Sequence, residues 1–532
     1  MKTKLWIALS MSGLIWFAAY AQTFEKVAGV DMNGSFLCNY NDNLFFQASD
    51  TTDALLGLWK SDGTVQGTDS VFGSFFYVNN FGQGMSMVYN GKLYFEAGFD
   101  PFTYNLWVTD GTTNGTKMIS NVVFSTPGYN SPNPVFTSYN GKLYFFAMDS
   151  TGFMTQSLWV SDGTPAGTQM VKSWPAFPTG YGPSTGITIL NNKMYFGGLD
   201  SNRIDDELWS SDGTSVGTHI VSEESGPESF RSILYKGKIY YLGYTSAGTG
   251  LISSDGTPAG TRLLISIFPT GNYIVDNDKL YFGASDSTGI YGLWETDGTL
   301  AGTTLVKDHF FVENLAVFNN KLFFAGDDSI HGPELWTSDG TPDGTQMIKD
   351  IWSGKTGSSP YDFVEYSNKV YFMANDSFHG LQLYVTDGTT ASTQMIAPYK
   401  KVPGNAVGTN SLIVYKGSLY FGANYYDSIY GHLDLWKLTT NVPEVVANGF
   451  SLYPNPVQGN YIYLQGDDFA NSFQVQLFSI EGKMIFTQQF ENPDYSGAIQ
   501  VPLPQNLANS VYVLAVSTEQ KTFYQKVVVQ KQ

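Results

Sequence analysis

Leu335-Trp336-Thr337-Ser338-Asp339-Gly340-Thr341-Pro342-Asp343-Gly344-Thr345 reads as the end of one strand, a tight turn and the start of another. Asp339 is placed to cap backbone amides through its carboxylate, and Gly340 supplies a conformation other residues resist. The pattern is first seen at Leu58 as LWKSDGTVQGT and has seven further copies, with turn aspartates Asp62, Asp110, Asp162, Asp212, Asp255, Asp297, Asp339 and Asp387. Successive aspartates lie 48, 52, 50, 43, 42, 42 and 48 residues apart. Recurrence at that period marks a repeat architecture.

A second motif interleaves with the first: NGKLYFEA at Asn90, NGKLYFFA at Asn140, NNKMYFGG at Asn191, NDKLYFGA at Asn277 and NNKLFFAG at Asn319, with looser copies around Phe45, Tyr240, Tyr371 and Tyr420. Asn-Gly, Asn-Asn and Asn-Asp pairs tolerate the positive φ angles of type I′ hairpins. Around Asn319 the unit resolves into four apolar runs: Leu315 to Phe318, Lys321 to Gly326, Glu334 to Thr337 and Gln346 to Ile351. Helical periodicity is not sustained anywhere, so each unit reads as four short strands. Four strands in about 40–50 residues, repeated, predict β-propeller blades. Trp59, Trp107, Trp159, Trp209, Trp294, Trp336 and Trp436 occupy one register and are expected to pack blade on blade.

The second motif occurs nine times, which predicts nine blades, with an eight-bladed ring and one irregular unit as the alternative. The last unit, through Tyr420 and Trp436, has no DGTxxGT segment, while Thr23 to Val30 looks like a fourth strand with nothing before it. The N-terminal segment is therefore expected to complete the last blade and tie the ring shut. Val442 to Val446 competes for that position.

Residues 1–21 read as a signal peptide. Lys2 and Lys4 precede an apolar run from Leu5 to Ala19, and Ala21-Gln22 is the expected cleavage site after Ala19-Tyr20-Ala21. No later stretch has the length of a bilayer span, so a transmembrane segment is not expected. The formal charge is −19. That sign disfavours nucleic acid as a partner, and the acidity suits a basic partner or plain solubility. Cys38 is the sole cysteine, which excludes intrachain disulfides and Cys-rich zinc sites.

Residues 22–440 form the predicted propeller, 441–450 a linker with Pro443 and Gly449, and 451–532 a second domain of alternating strands. The alternation predicts a small antiparallel, immunoglobulin-like sandwich, making the whole chain all-β. ELWTSDGTPDGT at Glu334, with its other copies, resembles the ELWxxDGT repeat of secreted Bacteroidetes proteins. Leu251-Ile252-Ser253-Ser254 departs from it where the tryptophan belongs, as do Tyr384 and Ala391-Ser392-Thr393 in the eighth unit. That resemblance implies an exported or surface protein without defined catalytic residues. A looser likeness to quinone-dependent dehydrogenase propellers concerns the fold alone. Tyr453-Pro454-Asn455-Pro456, followed by FSIEGKMI and VYVLAVSTEQKTFYQKVVVQ, resembles the type IX secretion sorting domain, type A, with Ser510 where the family has glycine. This resemblance implies the type IX secretion machinery as a partner and passage through the periplasm to the outer surface or medium.

Catalytic motifs are sparse. His331 and His379 share a loop position in adjacent units, but His219, His309 and His432 do not extend this to a metal-ligand spacing. Arg203, Arg231 and Arg262 are the three arginines, and sialidase propellers clamp a carboxylate with three, but these fall at unequal strand positions. Asp100, Asp149, Asp200, Asp286, Asp327, Asp328 and Asp376 offer the oxygen chemistry calcium takes, without its known loop spacings. Turn capping is their expected role, and no cofactor is expected. Two functions fit: a non-catalytic binding or adhesion module for a glycan or protein, and an enzyme acting on polysaccharide through paired carboxylates. The aspartates recur with the repeat instead of forming a singular pair, which favours the binding module.

Overall fold

The computed structural model describes residues 21–32, 38–50, 56–73, 77–78, 86–100, 103–124, 136–148, 156–174, 186–198, 207–222, 232–270, 273–396, 412–423, 433–441, 451–465, 472–479, 484–490, 499–505, 507–518 and 522–530. Residues 1–20 and 442–450 lie outside them, the latter including Val442 to Val446 and all of the expected linker but Asn441, which ends a strand. Two compact units emerge: Glu25–Lys437 and a second containing Leu438–Gln532.

Among the described residues the first unit is built from nine antiparallel sheets of four or five strands, a β-propeller. Blades I to VIII span 30–72, 77–120, 137–173, 188–222, 233–265, 268–308, 311–349 and 361–395. Blade IX takes Ile413–Tyr415, Ser418–Ala423 and Asp434–Asn441, and its outermost strand is Ala21–Ala28 from the start of the chain. The N-terminal strand therefore closes the ring. Lys26 Nζ lies 2.7 Å from Asp434 and Lys437 Nζ 2.8 Å from Glu25. Val30 and Asp31 have already crossed to pair with Asp50 and Ser49 of blade I.

Blade VII shows the local logic. Its strands are Phe311–Phe318, Lys321–Asp327, Pro333–Ser338 and Gln346–Lys349, called A to D from the first. All nine A–B turns hold two consecutive residues at positive φ, the geometry of type I′ hairpins. Asn319 and Asn320 sit there at 50° and 57°, and Lys236 and Lys416 adopt 46° and 44° despite poor intrinsic tolerance. Strand pairing imposes the turn even where the residue does not prefer it.

Strands B and C set each tryptophan directly opposite the phenylalanine of the second motif: Trp59 with Phe46, Trp107 with Phe95, Trp209 with Phe196, Trp336 with Phe324. A register shift falls between the leucine and the tryptophan in the C–D pairing of six blades, and between Leu251 and Ile252 in blade V. A bulge there increases strand twist, which suits blades fanned around an axis.

The second unit is a two-sheet sandwich. Ser451–Tyr453, Tyr461–Gln465 and Ile499–Pro502 form one sheet. The other runs Met484–Phe490, Phe473–Ser479, Ser510–Thr518, Thr522–Val529. Its core includes Val457, Ile462, Phe473, Leu477, Leu514 and Val527. Ser451–Tyr453 and Ile499–Pro502 have three and four residues, too few to establish alternation in the sequence.

Candidate functional site: repeat turns, histidine loops and the tail

Each DGT turn is a closed hydrogen-bond circuit. Asp339 Oδ1 accepts from the Thr341 amide at 2.9 Å and its hydroxyl at 2.6 Å. Thr341 Oγ1 in turn accepts from the Gly344 amide, while Thr345 donates to the Thr341 carbonyl and pairs with Ser338. The same aspartate–threonine contacts recur at Asp62, Asp110, Asp162, Asp212, Asp255 and Asp297. The threonine hydroxyl foremost, with its amide, holds these carboxyls below the ordinary aspartate range. In blade VIII, burial pushes Asp387 up, but hydrogen bonds from Ser392 and Thr389 outweigh it and leave the carboxyl lowered. Ser392 replaces the second glycine there and donates to Asp387.

The two glycines of the motif have different duties. A Cβ on Gly344 would lie 2.0 Å from Asp339 Oδ1, so that glycine clears space for the carboxylate. Gly340 has φ +85° and faces Tyr281 of the preceding blade, whose hydroxyl would be 2.5 Å from an added Cβ. Tyr94, Tyr144, Tyr195 and Tyr240 face Gly163, Gly213, Gly256 and Gly298 in the same manner, and Tyr420 of blade IX faces Gly63 of blade I. The tyrosine of one motif thus seats against the DGT turn of the next unit in six places, the closure included, while Phe45 and Phe323 face Gly111 and Gly388.

Trp107, Trp209, Trp294, Trp336 and Trp436 are buried, and Trp59 and Trp159 half-buried. Trp336 packs with Tyr281, Leu293 and Val306 of blade VI, and Trp294 with Tyr240 and Leu251 of blade V. Trp59 joins Tyr415, Tyr420 and Leu435 in the cluster that closes the ring. In the eighth unit Tyr384 takes this place, in a cluster with Phe323 and Leu335 of blade VII.

Tyrosines end the A strands of six blades, an interrupted belt, with Leu190, Asp276 and Phe318 in the other three. Tyr40 donates to the Gly91 carbonyl at 2.6 Å, Tyr139 to Asn192 at 2.7 Å, Tyr235 to Asp278 at 2.6 Å and Tyr366 to Gly417 at 3.0 Å. Each bond reaches the A–B turn of the next blade. Tyr415 donates to Asp42 and carries the belt across the closure. Each of these tyrosines stands directly before its own A–B turn, and that position was visible in the sequence. Their partner carbonyls were not.

His331 and His379 belong to equivalent B–C loops of blades VII and VIII, each clasped to its own aspartate. His331 Nδ1 lies 2.8 Å from Asp328 Oδ2, and His379 Nδ1 2.7 Å from Asp376 Oδ2. The Asp328 contact raises His331 above the usual histidine value. Glu334, a residue of the repeat motif, is fully buried. Its oxygens accept from the Ile351 and Trp352 amides at 2.9 and 2.8 Å and from the Ser358 hydroxyl. Burial raises its pKa against those bonds. Glu334 therefore anchors the strand D-to-A connection of 350–360. Asp286 and Asp327 cap their own loops through Thr288 and Ser329 amides. Asp100 ends a B strand, whereas Asp149 and Asp200 lie outside the described residues. Among the described residues no three His, Cys, Asp or Glu side chains cluster as a metal-ligand group.

Of the arginines, only Arg262 is described, exposed at the start of an outermost strand, while Arg203 and Arg231 lie outside. His219 and His309 are exposed and His432 lies outside the described residues. Burial drives the Cys38 thiol up to about 12, which keeps it protonated and poorly nucleophilic at neutral pH. Ala21 and Gln22 open the N-terminal strand.

In the tail, Tyr453 ends the first strand and Pro454, Asn455 and Pro456 are exposed. Asn455 Oδ1 accepts from the Val528 amide at 2.8 Å, and Val457 donates to the Val528 carbonyl at 2.7 Å. The YPNP segment thereby borders the last strand of the domain.

Residues 451–530 match the secretion system C-terminal sorting domain family. The chain carries a type IX sorting tail, which marks it for secretion or the outer surface. No curated protein matches this chain significantly. Among solved structures, puromycin hydrolase is 12% identical over 75% of this chain and 59% of its own, with a TM-score of 0.39. PorZ, an essential bacterial surface component of the type-IX secretion system of Porphyromonas gingivalis, is 12% identical over 94% of this chain and 75% of its own, at a TM-score of 0.30. The β-propeller domain of the Trilobed protease from Pyrococcus furiosus is 11% identical over 69% of this chain and 99% of its own, at 0.33. The chain thus spans 59% of the length of puromycin hydrolase. The propeller assignment rests on sheet topology and ring closure, and not on these likenesses.

Proposed function

We propose that the protein is a cargo of the type IX secretion system whose propeller acts, without catalysis, as a binding or adhesion module for a glycan or protein outside the cell. The sorting tail carries the export half of this reading. The binding half is supported by where the polar side chains point. The turn aspartates bond to threonines of their own turns, and Glu334 to a neighbouring loop. Side chains engaged in this way hold their own turns and loops in place, and loops carried on a propeller scaffold are a platform for recognition. The signal peptide at 1–21 and membership among ELWxxDGT-repeat proteins belong to the same proposal.

The test has two parts. Cultures are fractionated for full-length chain and for chain truncated after Asn441; export of the full chain alone supports the cargo reading. The exported protein is then screened on an array of glycans and assayed for oligosaccharide release. Saturable binding without cleavage supports the module, and turnover lost on substituting a single carboxylate would replace it with an enzyme.

A further inference from the structure

An open strand edge is a template for pairing, and proteins guard such edges with charges, proline, shortness or a covering segment. The described propeller edges follow that rule. Outermost strands carry Glu25 and Lys26, Asp69, Lys117, Lys172, His219, Arg262, Lys307 or Lys349, and blade VIII's is only the dipeptide Gln394–Met395. In the sorting domain, Ile499–Pro502 ends in proline and Ser451–Tyr453 is three residues long. The edge strand Thr522–Val529 contains Lys526 and is bordered by Asn455 and Val457.

Met484–Phe490 breaks the pattern. The strand MIFTQQF is seven residues long, with no charge and no proline. It pairs only with Phe473–Ser479, so among the described residues its other side is an open edge. Phe486 and Phe490 turn to the domain core, and Phe490 stacks on Phe473 with ring centroids 5.0 Å apart. Ile485, Thr487 and Gln489 alternate on the exposed face, and Met484 is 52% exposed.

We propose that Met484–Phe490 is a docking edge onto which the type IX machinery adds an uncharged extended strand during export. Unpaired backbone N–H and C=O groups along the edge are complementary to a strand, and alternate side chains supply selectivity. Seven residues span about 24 Å, and with a sheet about 10 Å thick the contact covers roughly 240 Å² per partner. That is well short of the ~1,000 Å² total of a stable interface. It disfavours a second copy held in a stable dimer and suits a carrier that must release its cargo. The inference rests on the sorting reading above.

The experiment uses the full chain in its native host. Ile485→Lys and Thr487→Lys together place charges on the exposed face, and Gln489→Lys repeats the test at a second position. Ile485→Thr keeps the strand uncharged. The lysine variants are expected to reach the medium or surface roughly tenfold less, with the purified protein's melting temperature and monomeric mass unchanged; Ile485→Thr should match wild type. Lysine variants exported normally, while the chain truncated after Asn441 is retained, would overturn the docking edge and leave the sorting reading standing. Normal export of the truncated chain would instead defeat the sorting reading. An export defect that tracks a lower melting temperature, or a wild-type dimer lost in the lysine variants, would also overturn this assignment.

Discussion

At Gly340 two constraints meet, the φ of +85° and the Tyr281 hydroxyl of the preceding blade. Gly141 has φ +69° with nothing near an added Cβ. Gly141→Ala should therefore cost about 1–2 kcal/mol for the left-handed backbone, and Gly340→Ala a further ~1–3 kcal/mol for overpacking. Denaturant titration of both variants measures the difference; equal losses would mean the tyrosine gives way freely. Asp339→Ala removes the turn cap and should cost about 1 kcal/mol, by analogy with helix caps. A chelator that lowered wild-type stability would instead reveal a bound cation. The turn aspartates also set an acid limit. Their folded pKa values lie below the unfolded ones, so their stabilisation is present above the unfolded value near 3.9 and is lost as pH falls through the folded value. His331 has the opposite sign: its folded pKa is raised, so the contribution is present below about 6.5 and lost as pH rises through the folded value. Melting temperature against pH should fall below about 4, and His331→Gln should flatten the neutral limb.

The element that decides closure is Ala21–Ala28. It supplies the outer strand of blade IX, and Val27, Val30 and Met32 join the apolar cluster between blades IX and I. Deleting residues 22–28 exposes the edge of Asp434–Asn441 and breaks the Lys26–Asp434 and Lys437–Glu25 pairs. The expected result is a cooperative drop in the melting temperature of the whole ring, since blades are stabilised by their neighbours. A ring that melts as before would show that the tyrosine belt and the Tyr420–Gly63 contact hold it without the strand. Tyr366→Phe tests one link of that belt alone and should cost about 0.5–1.5 kcal/mol for the lost bond to Gly417.

On the scale of the whole chain, the sorting domain has its own sandwich core, from Leu452 through Val529. Truncation after Asn441 should leave the propeller's melting transition in place while the protein accumulates inside the cell. Differential scanning calorimetry and cell fractionation check the two halves of that expectation. A propeller that unfolds on truncation would make the two units one cooperative body, contrary to their separate cores.

The sequence by itself determined the all-β class, the four-strand unit, the positive-φ hairpin turns and the tail. The first three follow from local chemistry: period-two alternation, Asn-Gly pairs, and the Asp-Gly-Thr circuit closed within seven residues; the tail was identified by its resemblance to the sorting-domain family. It also indicated the N-terminal closure, because one strand was missing at one end and spare at the other. It left the choice between eight and nine blades open, because an irregular unit such as Leu251 to Ser254 can form a blade only if its neighbours offer it a face. Tertiary structure decided that, giving nine sheets among the described residues. It also decided the partners of the tyrosines and of Glu334. A side chain's identity states what it can donate or accept, but the Tyr40 bond to Gly91 crosses 51 residues and exists only because two blades stand side by side.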